Sequence, residues 1–348
     1  MMPLRKDIRN LSLDELKQVF SGWGEPAYRA RQLYSWLYSK NVSDFERMSD
    51  FPRRLIAELN SHYFIGSLQC LETLTARDGA IKFLWGLGDG HSVETVLITQ
   101  HRRRTVCLST QVGCKFGCPF CVSGSRGFIR NLTVSEITGQ VLGVRSVIAG
   151  EVTNIVLMGI GEPLDNFDQV VRSIRILNDP EALHIGARRI TLSTCGLVPG
   201  ILELSRRGLQ IELSVSLHAT TDALRDRLVP VNRKYPLKRL IDACEVYSGR
   251  TGRRITLEYA LIMGVNDSDE AARRLGHTAR RLKAKVNLIT CNPNQSSDYK
   301  GTTHEKMSNF RDAVAARGTD VTIRRTKGDR ILAACGQLAI DRKEAESM

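Results

Sequence analysis

Residues 114 to 121 read Cys-Lys-Phe-Gly-Cys-Pro-Phe-Cys, which sets Cys114, Cys118 and Cys121 in a Cys-x3-Cys-x2-Cys pattern. Thiolates this close can converge on one soft metal centre. Three ligands, where a closed structural site takes four, leave a coordination position open for a cofactor or substrate. Structural zinc completed by Cys107 or His101 is the alternative, although four-ligand zinc sites usually show two separated cysteine pairs.

Other residues with chemical capacity are scattered along the chain. Gly161 and Glu162, in Gly159-Ile160-Gly161-Glu162-Pro163-Leu164, close an apolar strand-like run. A glycine-rich turn there is ordinarily only a tight connection. Ser193, the triplet Ser216-Leu217-His218 and Asn292 follow later runs. Each alone reads as a satisfied polar residue at a strand end, but together they decorate one rim of a parallel sheet. Cys335 lies in Ala333-Ala334-Cys335-Gly336-Gln337-Leu338, and a lone cysteine is usually a small buried hydrophobe. Glu94 lies in the alternating segment Ser92-Val93-Glu94-Thr95-Val96, where a glutamate ordinarily meets solvent.

The scaffold that must position these groups is legible from residue 104 onward. Strand-like runs fall near 104–109, 153–158, 188–194, 211–216, 254–262, 285–290 and 320–325. Helical stretches at 133–148, 166–178, 236–248, 268–283 and 303–317 separate most of them. Thr133-Val134-Ser135-Glu136 is a capping box for the first helix. Such alternation implies a parallel sheet with helices outside, open or wound as a complete or partial barrel, with chemistry at the carboxyl ends of strands. Upstream, Ser12-Leu13-Asp14-Glu15 can cap a helix carrying Leu16, Val19 and Phe20, and Leu33, Trp36 and Leu37 recur at helical spacing between Tyr28 and Tyr38. Arg29, Arg31, Arg53 and Arg54 are interleaved there, as suits nucleic-acid contact or an ordinary solvated face. Asp78-Gly79 and Asp89-Gly90 predict hairpins between 63 and 100.

The chain of 348 residues predicts roughly two domains of about 150 residues each. With 42% hydrophobic and 25% charged residues it is globular rather than disordered. A net charge of +13 points to a polyanionic partner, nucleic acid above all, with a solvated basic surface as the alternative. No apolar run reaches the ~18 residues of a membrane span. The start, Met1-Met2-Pro3-Leu4-Arg5-Lys6-Asp7, lacks the apolar core of a secretory signal. Nine cysteines are therefore expected as reduced thiols or ligands in a cytoplasmic protein.

The cysteine pattern after the first strand of the series resembles the radical S-adenosylmethionine (SAM) superfamily. There, three cysteines hold a [4Fe–4S] cluster and SAM chelates the fourth iron. The Gly159–Leu164 segment, Ser216-Leu217-His218-Ala219, Asn292-Pro293 and Ala333–Leu338, in that order, further resemble the RlmN/Cfr-type adenine methyltransferases of RNA over nearly the whole chain. The resemblance implies an α/β fold: a partial (βα) barrel of the radical SAM type over 104–348. It is preceded by an N-terminal helical, RNA-contacting domain (1–62) and a β-hairpin extension (63–103).

The implied activity is methylation of an adenine carbon in RNA, C2 of an adenosine in 23S rRNA with tRNA as a further substrate. C8 methylation is the next alternative and another RNA adenosine the third. By the same resemblance Cys114, Cys118 and Cys121 hold one [4Fe–4S] cluster, and SAM is used twice per turnover. Gly161, Glu162, Ser193, Ser216, Leu217, His218 and Asn292 meet SAM, the Glu162 carboxylate suiting its ammonium group. Cys335 carries the methyl group, Glu94 accepts the proton from the base, and Cys107 resolves the intermediate through a transient disulfide with Cys335. Cys70, Cys195, Cys244 and Cys291 are read as structural. The implied partners are RNA and a flavodoxin-type electron donor, with no membrane and a monomeric enzyme. His101-Arg102-Arg103-Arg104, Arg324, Arg325, Lys327 and Arg330 are basic residues suited to RNA near the chemistry.

Two segments depart from the family. Val122-Ser123-Gly124 stands where Ala-Thr-Gly is common, and Arg330 and Leu332 stand where acidic residues are usual. The second change alters charge beside the substrate and leaves C2 against C8 open. A non-catalytic, zinc-stapled RNA-binding protein is the alternative of a different class.

Overall fold

The computed structural model describes residues 5–148, 150–293, 297–324, 327–328 and 331–338; Arg325 and Arg330 lie outside the described residues. Strand β1 (Lys6–Asp7) leads into helices α1 (Leu13–Gly22), α2 (Tyr28–Tyr38) and α3 (Arg53–His62), and β2 (Tyr63–Phe64) returns parallel to β1. The expected capping box opens α1, with Ser12 and Glu15 satisfying each other's backbone N–H groups. Leu16, Phe20, Leu33, Leu37, Leu55 and Leu59 build a core that continues onto Val134, Leu142 and Ile176. The helical module is thus packed against the rest of the chain.

Strands β3 (Gln69–Thr75), β4 (Ile81–Gly86), β5 (Ser92–Gln100) and β6 (Arg103–Cys107) then run antiparallel in order. The first two turns occur at the predicted Asp-Gly pairs. Gly79 (φ +80°) and Gly90 (φ +86°) take the left-handed conformation that only glycine adopts without cost. A small hairpin, β7 (Gln111–Gly113) with β8 (Phe128–Asn131), brackets the cysteine loop, and one helical turn, α4 (Val122–Ser125), follows the third cysteine.

From β6 onward the sheet is parallel: β9 (Asn154–Leu157), β10 (Ile190–Thr194), β11 (Glu212–Ser216), β12 (Thr256–Leu261), β13 (Lys285–Thr290) and β14 (Val321–Arg324) follow side by side. The connecting helices are α5 (Val134–Val147), α6 (Phe167–Asn178), α7 (Val198–Leu204), α8 (Asp222–Leu228), α9 (Leu237–Thr251), α10 (Asp269–Arg281) and α11 (His304–Ala315). Thr133 and Glu136 form the predicted capping box of α5. Helices α7 and α8 are too short for periodicity to have revealed them. Val106, Ile155, Leu192, Leu213, Leu257 and Leu288, one from each successive strand, are buried in a single core.

Among the described residues the ten-stranded sheet ends at β3 on one side and β14 on the other without the two pairing, so it does not close. It is nevertheless curved, because residues of every strand from β5 and β6 through β9 to β14 line one cavity. The fold is a partial barrel. No helix among the described residues is long and apolar enough to cross a membrane.

Candidate active site

The cysteine loop is folded by its own backbone. Cys114 N–H donates to Gly127 O at 2.7 Å, Cys121 N–H to Cys118 O at 3.0 Å, and Gly124 N–H to Cys121 O at 3.0 Å. Gly113 (φ +75°) makes the approach possible, since a side chain there would collide with the Gly127 carbonyl. All three thiols line one cavity of about 190 Å³. Burial pushes the Cys114 thiol up to about 12 and raises Cys118 and Cys121 as well. Binding to a cationic metal centre would reverse that shift.

Gly161, Glu162, Ser193, Ser216, His218 and Asn292 line the same cavity. Gly161 (φ +99°) packs so closely that an added Cβ would lie 2.5 Å from Gln111 Cβ. Glu162 is buried, and its carboxylate accepts from Cys195 N–H at 2.7 Å and Leu164 N–H at 3.0 Å. Burial raises its pKa, and those hydrogen bonds oppose the rise. His218 Nδ1 accepts from Ala260 N–H at 3.0 Å, which places the ring proton on Nε2. Burial, with Arg225 as the second cause, pushes this imidazole down to about 3, so it is neutral. Leu217 differs: its side chain is buried in the core and does not line the cavity. Its N–H donates to Glu258 O and its carbonyl accepts from Arg225, so its backbone is already engaged.

Three contacts dock the Cys335 turn on the cysteine loop and on the end of β13. Val122 N–H donates to Gly336 O at 2.9 Å, Ser123 Oγ to Leu338 O at 2.8 Å, and Asn292 Nδ2 to Cys335 O at 3.1 Å. The departure at Val122-Ser123-Gly124 therefore keeps a hydroxyl with a definite task. Cys335 lines the cysteine cavity and also a second cavity of about 1030 Å³ that runs through the barrel. Cys107 is buried and lines only the second. Burial and the neighbouring Cys335 push the Cys107 thiol up to about 12, and Arg324 opposes the rise. No two of the nine cysteines are joined.

Neither Cys107 nor His101 reaches the cavity of the three cysteines, which removes both fourth ligands of the zinc alternative. Among the described residues no three histidine, cysteine, aspartate or glutamate side chains converge on a single ion. Thiols that each bind a different iron of a cluster need not converge in that way.

Glu94 lies outside both cavity linings and is not a solvated edge residue. It is buried in an ion pair with Lys82 at 2.8 Å. Lys82 Nζ also reaches the carbonyl of Leu332 at 3.5 Å. Leu332 itself takes a positive φ of 51°.

Several site residues escaped the sequence. Cys195 and Cys291, read as structural, line the cysteine cavity, whereas Cys244 is in the core and Cys70 is exposed. Glu258 lines both cavities, accepting from Ser214 Oγ at 3.2 Å and Asn287 Nδ2 at 2.7 Å. Arg324, expected to serve RNA, also lines both and donates to Met158 Sδ at 3.7 Å. A charged residue inside a parallel strand was the available signal for Glu258. Arg103, Arg188, Lys285 and Lys327 add positive charge to the larger cavity, which Arg102 and Arg104 do not line.

Comparison with known proteins agrees with this geometry. A family model described as the Radical SAM superfamily matches residues 108–276, and one described as the ribosomal RNA large subunit methyltransferase N-terminal domain matches 6–65. A probable dual-specificity RNA methyltransferase RlmN of Moorella thermoacetica is 46% identical over 99% of both chains. The dual-specificity RNA methyltransferase RlmN of Syntrophotalea carbinolica is 46% identical over 96% of this chain and 90% of its own. The crystal structure of a radical SAM methyltransferase from Sphaerobacter thermophilus superposes with a TM-score of 0.90 at 43% identity, covering 96% of this chain and 99% of that one.

Proposed function

Because the chain belongs to the RlmN family of dual-specificity RNA methyltransferases, we propose that it methylates C2 of an adenosine in 23S rRNA, with tRNA as a further substrate. It is a radical SAM enzyme that uses a [4Fe–4S] cluster and SAM. The observation that carries the proposal is the position of Cys335, which lines both cavities: the one with the three cysteines and the one with Cys107.

The donor set fits the cofactors. Cys114, Cys118 and Cys121 would hold the cluster as soft thiolates in one desolvated cavity. Glu162 beside them offers SAM's ammonium group a charge-assisted acceptor, and Gly161, whose φ of +99° and close packing on Gln111 suit only glycine, turns the backbone at the cavity wall. Ser193, Ser216, Asn292 and the Nε2–H of neutral His218 supply further polar contacts. Leu217 would serve by packing from behind. When bound, these cofactors would supply the radical chemistry that activates a methyl group on sulfur for addition to an electron-poor adenine carbon.

Cys335 would take a methyl group as its thiolate from one SAM, whose methyl–sulfonium bond breaks so that S-adenosylhomocysteine leaves, at a position that lines both cavities. Adding that carbon to the base joins protein to RNA through the Cys335 sulfur. Cys107 would then attack this sulfur as a thiolate: an S–S bond forms, the C–S bond breaks with its electron pair left on the base-bound carbon, a proton from water completes the methyl group, and the one electron left over from the radical addition returns to the redox cofactor. Cys107 rests as a protonated thiol and must lose its proton as it attacks; Arg324 stabilises the resulting charge. Glu94 accepts the proton from the adenine carbon, and Lys82 holds its carboxylate beside the Leu332–Cys335 segment.

The adenine must leave its stack to reach this site. Basic side chains of the larger cavity, Arg103, Arg188, Lys285 and Arg324, attract the phosphates around it. Residues 1–62 form the RNA-contacting module, where Arg29 lies 5.0 Å from the exposed Tyr28 ring. Residues 63–103 form the β extension and 104–348 the catalytic barrel. The enzyme acts as a cytoplasmic monomer with a flavodoxin-type electron donor.

Mass spectrometry of rRNA and tRNA nucleosides from cells with and without the gene tests the proposal. Loss of 2-methyladenosine with the gene supports it. Loss of 8-methyladenosine instead moves the reaction to C8, and no change in either overturns it.

A further inference from the structure

Arg225 is wholly closed off from solvent. Helix α8 directs its guanidinium beneath the wall of the cysteine cavity. Nε donates to Leu217 O at 3.1 Å, and Nη1 to Asn232 Oδ1 at 3.0 Å. Nη2 donates to both Cys195 O at 2.7 Å and Ser216 O at 3.1 Å. All four partners are neutral. A buried cation satisfied only by neutral acceptors carries an uncompensated desolvation cost.

The ionisable side chains around Arg225 are those of Cys195 and Cys118, then the core residue Cys244, then Asp222. Arg225 does not line the cavity, so it faces the site through the strand-end backbone and not by touching a ligand there. Gly196 permits this approach, since an added Cβ would lie 3.1 Å from Nη2. Three thiolates around an iron–sulfur cube make the group anionic, and each added electron increases that charge. A fixed cation in a poorly polarisable interior stabilises the more negative state. Arginine suits the task because it stays protonated even when buried.

We propose that Arg225 is the buried counter-charge of the iron–sulfur cluster, a positioning residue that favours the cluster's reduced state while tying together the ends of β10 and β11. This rests on the proposed binding of the cluster by Cys114, Cys118 and Cys121.

The test uses the full-length protein purified without oxygen, as wild type, Arg225→Lys and Arg225→Gln. Iron and sulfide content and the midpoint potential from an EPR-monitored titration are measured for each. Arg225→Gln keeps an amide donor but loses the charge, and its cluster should be about tenfold harder to reduce, a shift of 59 mV for one electron. Arg225→Lys keeps the charge and should stay within about threefold of the wild type. All three should bind equal iron. A glutamine variant that titrates with the wild type overturns the inference. Equal loss of potential in both variants also overturns it, because guanidinium geometry and not charge would then be responsible. Variants that lose the cluster or unfold make Arg225 a structural clamp alone, which overturns it too. A wild type without a cluster overturns the cofactor assignment itself, and the inference falls with it.

Discussion

The Ser123 hydroxyl donates to the Leu338 carbonyl at 2.8 Å, joining residues 215 positions apart in a buried contact. Beside it, Val122 N–H donates to Gly336 O at 2.9 Å. The residues that follow the third cysteine therefore hold the turn that carries Cys335. Ser123→Ala would leave a buried carbonyl without its donor, at a cost of about 1–3 kcal/mol. The expected result is normal iron content with methylation lowered about tenfold or more, and recovery in Ser123→Thr. Wild-type turnover in Ser123→Ala would show the tether to be idle.

Cys114→Ala, Cys118→Ala and Cys121→Ala should each lose the cluster and all RNA methylation. The three thiols share one cavity and one loop, whereas the other cysteines that line it, Cys195, Cys291 and Cys335, follow later strands of the fold. Iron and sulfide analysis of each variant gives the answer. A full four-iron cluster in any of the three would contradict the ligand set.

Cys107→Ala should still attack RNA but stall as a covalent adduct, whereas Cys335→Ala should form none. Both cysteines line the larger cavity, so the resolving thiol has a path to the Cys335 sulfur. Denaturing gels of each variant from RNA-containing cells, with and without ribonuclease, report the adduct. Free protein and normal turnover in Cys107→Ala would reduce Cys107 to a packing residue.

RNA affinity should fall steeply with salt, given the net charge of +13 and the basic lining of the larger cavity. Each phosphate contact should contribute about −0.7 to the slope of log affinity against log salt on single-stranded RNA. Binding measured across a salt series would refute electrostatic recognition if the slope were near zero.

Stability should fall on acidification because of His218. Burial pushes its pKa down to about 3, whereas an unfolded chain binds the proton near 6.5. Between those values the unfolded state holds a proton that the native state refuses, so stability rises with pH. The effect is absent above the unfolded value and grows as pH falls towards the folded one. Between pH 7 and pH 5 this amounts to about 2 kcal/mol. Urea unfolding of wild type and His218→Gln at both values should show that difference only in the wild type.

Much of this site was legible because its signals are local. The spacing of Cys114, Cys118 and Cys121 needs only one loop to bring the thiols together. Strand and helix periods, the Thr133–Glu136 box and the Asp-Gly turns are encoded within a few residues, and they order the motifs along one rim. A resemblance carried by several motifs in sequence identified the chemistry.

The tertiary structure alone decided which way individual side chains face and what buried charges meet. Lys82 and Glu94 become partners through the diagonal register of β4 and β5, where Leu84 stands opposite Glu94. Leu217 turns into the core between Ser216 and His218, just past the end of β11, where His218 takes a positive φ of 55°. Cys195 and Glu258 enter the site only through the curvature of the sheet, and Arg225 finds its carbonyls at the ends of two separate strands. These pairings depend on register and on long-range packing. Residue type specifies a charge or a thiol, but the low-dielectric neighbours that set its energy come from strands distant in the chain.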